Sequence, residues 1–343
     1  MAVKTDNNQA LTAINKNFNY KYKIRVYTKV GIDPEISTEL LKIITKSKGE
    51  VSIVTDLCGT LGTKIFLGTV GELRIISEKI HGNASKVEFR NCGVNIKREL
   101  ADILVISAIT HGQDIVLLKT AFIQNKKQNS SESWTIEQGQ LDLLMNFPKF
   151  TGISGKHLNK REYTFLNMSE TLGNYGLFSE NDMLLASAKT VFCEQKGKNV
   201  AFDDLKSAAL VESRARKINP LSSVFCRRCS KNCYEQDYCW DKEFNIWNNL
   251  RFWDNSFISL NIYEFIRNLT YFNIGEPSQL CHTVYDKELH EFTCRILFDI
   301  FGIGIDGCKI HHHNDNHPKD DSLRCDGNDL WVVFNELNVT NGQ

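Results

Sequence analysis

The 343-residue chain lacks a net charge: 41 basic side chains balance 41 acidic ones. Contact with a polyanion must then come from a local patch, because no global positive field exists to draw one in. The chain also lacks any apolar run near the roughly 18–20 residues that cross a bilayer, so no membrane partner is expected. Its start, Met1 to Gln9, is polar and has no apolar segment of the kind that directs secretion, so a cytoplasmic location is expected. Internal repeats and long low-complexity tracts are missing too. What is present is 42% hydrophobic residues, ample for a core, in a length comfortable for two domains. Eleven cysteines, several of them clustered, fit reduced thiols and a metal better than a secreted disulfide framework.

The most informative stretch is Arg98 to Ile106, followed by Leu117 to Lys127: two apolar runs, each with polar residues at one end. Read as adjacent strands, they put Asp102 at the start of one. Gln124 and Lys126, two apart, then share a face of the next. A carboxylate, an amide oxygen and an ammonium brought together in this way make the geometry of a divalent-metal phosphodiesterase site. Asp102 and the Gln124 oxygen would hold Mg²⁺, a hard cation that prefers oxygen, and Lys126 would position the attacking water.

These residues resemble the restriction-endonuclease-like nuclease superfamily, whose signature is an Asp, a variable spacer, then Glu or Gln, any residue, and Lys. The resemblance covers roughly residues 60–150. It implies a fold of the α/β (α+β) class, a mixed sheet flanked by helices, and a Mg²⁺-dependent endonuclease acting on DNA. Restriction or defence against phage is the setting it suggests, with a homodimer as a possible assembly for cutting both strands. In several branches a glutamine on the helix after the Lys strand lies near the catalytic centre. Gln140, or failing that Gln138, would take that part here. Gln124 stands where Glu is commoner, and its amide brings no negative charge. Glu99 or Glu72 would supply the missing carboxylate.

Along the chain, Tyr20 to Tyr27 alternates and reads as a strand, and Asp33 to Lys46 reads as a helix with proline in its first turn. Gly62 to Ile80 is expected as a second helix carrying Glu72. Strands are expected at 86–90, about 101–109 and 115–124, with a hairpin turn at His111 to Asp114. A helix at Gln138 to Leu144 completes a nuclease core over residues 1–160. Further on, Glu162–Asn167 is expected as a strand, Asn181–Phe192 and Phe202–Glu212 as helices, and Asp329–Asn335 as a closing strand.

The second domain, 161–343, is expected to be mostly helical. Cys226, Cys229, Cys233 and Cys239 form a C-x₂-C-x₃-C-x₅-C array. Four thiolates suit a closed tetrahedral Zn²⁺ site, with an iron–sulfur cluster as the lesser option. Between Arg214 and Lys231 lie Arg214, Arg216, Lys217, Arg227, Arg228 and Lys231 and no acidic residue. This is the expected phosphate-contacting element. Two rival readings stand beside the nuclease. One is a zinc-stabilised nucleic-acid-binding protein with an inactive core, and the other is an interaction or regulatory protein that binds no nucleic acid.

Overall fold

In a computed structural model, the structure describes residues 32–47, 49–68, 71–80, 85–129, 132–153, 158, 160–166, 171–209, 258–280, 283–312 and 329–339. The strand expected at Tyr20 to Tyr27, the cysteine array and the basic segment 214–231 lie outside these residues.

The chain is of the mixed α/β class. Helices α1 (Ile32–Lys46) and α2 (Glu50–Leu61) precede two strands, β1 (Thr63–Gly68) and β2 (Gly71–Ile80). The helix expected over Gly62 to Ile80 is therefore an antiparallel hairpin, with Thr63 opposite Ile76 and Leu67 opposite Glu72. Burial along β2 alternates at first, Leu73 and Ile75 facing the core and Arg74 facing solvent. That period of two is a strand's and not a helix's.

A second hairpin, β3 (Lys86–Asn91) and β4 (Val94–Glu99), leads to β5 (Ile103–His111) and the long β6 (Asp114–Lys127). β5 and β6 pair antiparallel through the expected turn. After β7 (Ser133–Thr135), helix α3 (Gln138–Asn146) is followed by β8 (Phe150–Gly152), β9 (Glu162–Tyr163), β10 (Gly173–Phe178) and β11 (Met183–Ser187). Helix α4 (Ala188–Glu194), β12 (Asn199–Ala201) and a helical stretch at 202–209 come next. Then come β13 (Ile258–Ser259), α5 (Ile262–Thr270), β14 (Glu276–Leu280), β15 (Thr283–Val284) and α6 (Lys287–Phe301). β16 (Ile303–Asp306), β17 (Lys309–His312) and β18 (Leu330–Val339) close the described part.

The main sheet runs β1-β2-β18-β5-β6-β10-β11-β13, with β14 and β17 also paired to β6. β18 lies between β2 and β5, antiparallel to the first and parallel to the second. A mostly helical second half is expected from the sequence; among the described residues beyond 160, α4, α5 and α6 stand beside strands, one in the middle of the sheet and several at its edge. Asn181–Phe192 divides into a strand and a short helix because Met183, Leu184 and Leu185 are all buried, one set on each sheet face. A continuous apolar run of this length suits a strand covered on both sides.

Two apolar cores lie on the two faces. One gathers α1, α2 and α5 residues, such as Leu40, Leu57 and Phe265, against Ile103, Val105 and Ile123. The other packs Leu141 and Leu144 of α3 and Phe292 of α6 against Leu104, Phe122 and Leu177. Close approach fixes two junctions. A Cβ at Gly173 would collide with the Leu144 carbonyl, so only glycine lets β10 pass beneath α3. At Gly275, φ is +93° and a Cβ would sit 2.5 Å from the Thr120 carbonyl oxygen, where α5 turns into β14.

Candidate functional site

β5 and β6 do bring Asp102 and Gln124 together. Pairing of Ile103 with Ile123 sets Asp102 beside the far end of β6, where its backbone N–H donates to the Ile123 carbonyl at 3.1 Å. Gln124 Nε2 donates to Asp102 Oδ2 at 2.6 Å, and the Asn125 backbone N–H donates to the same oxygen at 2.6 Å. Asp102 is only 7% exposed. Burial pushes its carboxyl up to about 7. The Asn125 N–H and the Lys126 charge pull it back, while Glu50 and Glu99 push it further up.

Lys126 lies on the same face of β6 as Gln124 by strand alternation. Its ammonium sits 3.7 Å from Glu50 Oε1, and both side chains are about a quarter exposed (26% and 29%). The other Glu50 oxygen accepts from the Lys127 backbone N–H at 2.9 Å. Glu50 therefore ties the first turn of α2 to the end of β6. Sequence reasoning passed over it. The signal available was Gly49-Glu50, an acidic first turn directly after a glycine.

Tyr175 was also passed over. It stands beside Gln124 in the parallel β6–β10 register and is fully buried. Burial, then the charges of Glu137, Asp102 and Asp142, raises its phenol above the usual range. Its hydroxyl has no hydrogen-bond partner among the described residues, nor do Gln124 Oε1 and Gln140 Nε2. Gln140 is buried on α3. Gln138 instead spends its amide on Asp142, one turn on, at 2.7 Å. Glu99 ends β4, and its charge pushes the Asp102 carboxyl up.

Glu72 does not join this group. It pairs with Asn338 on β18, which pairs with Thr110 on β5. Thr110 and Asp102 are separated by most of β5, roughly 26 Å at the usual rise per residue. Glu72 is thus at the opposite end of the sheet, and the hairpin that replaced the expected helix is what carries it there.

The resulting centre contains one buried acid, the buried Gln124 amide, a phenol and a Lys–Glu pair about a quarter exposed. Among the described residues no three His, Cys, Asp or Glu side chains converge. Gln124 turns its N–H side to Asp102, so the pair is joined by a hydrogen bond. Lys126 is directed at Glu50.

Residues 199–291 match the family model SBF2, described as Myotubularin protein. No curated protein and no solved structure matches the chain. This match overturns the restriction-endonuclease-like assignment and, with it, the Mg²⁺-dependent nuclease, the DNA partner and the restriction or phage-defence setting. The Asp…Gln-x-Lys signature is short, and two paired strands with polar ends satisfy it for reasons of sheet pairing alone. The SBF2 match spans β12, β13, α5, β14, β15 and the start of α6. Within it, α5 is capped by Asn261, whose side chain accepts from Glu264 N–H at 2.9 Å, and held at its start by Asp182, which accepts from Ile262 N–H at 2.8 Å. Its Ile262, Phe265, Ile266 and Leu269 are buried, and Tyr263 is 44% exposed. No helix among the described residues is long and apolar enough to cross a membrane.

Proposed function

We propose that the chain is an interaction or regulatory protein whose partner is a myotubularin-family protein. The match of residues 199–291 to the SBF2 model carries this reading. It takes up the second rival of the sequence analysis, the one that binds no nucleic acid. Supporting it, α5 within the matched span is rigidly seated and presents Tyr263 and Arg267, one turn apart, to solvent. Tyrosine and arginine are residue types that dominate interface energetics.

The test is binding of the full chain to a purified myotubularin-family protein by calorimetry, with double-stranded DNA as a parallel titrant. Saturable binding to the protein and none to DNA is the expected result. Binding to DNA with a steep salt dependence, and none to the protein, overturns the reading. A Tyr263→Ala, Arg267→Ala double variant should weaken the protein complex at least tenfold while leaving the melting temperature within a few degrees of the wild type.

Two metals belong to this proposal as ligands of a regulatory protein. Mg²⁺ would be held by Asp102 and by Gln124 through its oxygen, once the amide turns over. These are oxygen donors suited to a hard cation. Zn²⁺ would be held by Cys226, Cys229, Cys233 and Cys239. Elemental analysis of purified protein tests the zinc. Calorimetric titration of Mg²⁺ into wild type and Asp102→Asn tests the other, and equal heats from the two proteins exclude Asp102 as a ligand.

A further inference from the structure

We draw no further inference here: the strongest candidate, the buried polar cluster of Gln124, Gln140 and Tyr175 between the sheet and α3, belongs to the site already described.

Discussion

Gln124 donates its side-chain N–H to Asp102 Oδ2 at 2.6 Å, joining the end of β6 to the start of β5 inside the fold. The same carboxylate oxygen takes the Asn125 backbone N–H, so one acid satisfies two donors that pairing within the sheet leaves over. Its burial makes ionisation costly, and that cost governs how the fold responds to pH.

Asp102 rises from 3.8 to about 7 on folding. The folded state holds the proton more tightly, so the group's favourable contribution is complete below about pH 4, is lost as pH rises towards 7 and is flat above that. A carboxyl moved that far is worth on the order of 4 kcal/mol. Asp102→Asn keeps an acceptor for Asn125 and removes the titration. Denaturant unfolding of both proteins at pH 4.5 and pH 8 should show the wild type losing more stability than the variant between the two. Parallel curves would show that Asp102 does not titrate in this window.

Tyr175→Phe removes a buried hydroxyl that lacks a partner among the described residues. Deleting such a group relieves its desolvation, so the variant should be as stable as the wild type or more stable by about 1 kcal/mol. A loss above about 1 kcal/mol in chemical denaturation would mean the hydroxyl is satisfied.

Glu50→Ala breaks the bond from Lys127 N–H and the ion pair with Lys126 together. The pair is partly exposed and contributes little, so the hydrogen bond sets the expected loss, about 1 kcal/mol. Glu50→Gln keeps an acceptor and should recover most of it. Urea midpoints of the two variants separate the effects.

Lys119 is buried at 1% exposure and donates to the Phe272 and Asn273 carbonyls at 3.3 and 3.2 Å, just past the end of α5. The ammonium meets the negative end of the helix and holds the turn that Gly275 completes. Lys119→Met retains the volume but leaves these carbonyls without their donor. It should cost about 2–4 kcal/mol, with hydrogen exchange rising first at 270–276. Unchanged exchange there would show that the ammonium is dispensable.

His312 Nε2 lies 3.4 Å from Glu336 Oε1, and that bond and charge raise the imidazole above its usual value against partial burial and Arg74. The folded state favours the imidazolium. The contact therefore stabilises fully below the unfolded value near 6.5 and fades as pH rises through the folded one. NMR titration should place His312 above His290, whose burial lowers it. The reverse order would remove the ion pair.

Local patterns made much of the sheet legible in advance. Strict alternation marked β3. The paired apolar runs marked β5 and β6 and set Asp102, Gln124 and Lys126 at one end. The run Gly62 to Ile80 is harder, because its apolar residues suit both a helical stripe and a strand, and pairing of β2 with β1 on one side and with β18 across ten residues on the other decides for the strand. Glu50 and Tyr175 could not be placed at the centre from sequence, since one lies 52 residues before Asp102 and the other 73 after it. No local period links positions so far apart.

By itself the sequence determined which segments could be strands or capped helices, where turns fall and which end of β6 is polar, because these follow from side-chain period and backbone preference within a few residues. Only the tertiary structure decided that β18 enters the sheet between β2 and β5, that Glu72 stands far from Asp102 and that Glu50 stands near it. Those outcomes rest on burying two apolar faces at once, and the free energy of doing so depends on contacts between residues that the order of the chain keeps apart.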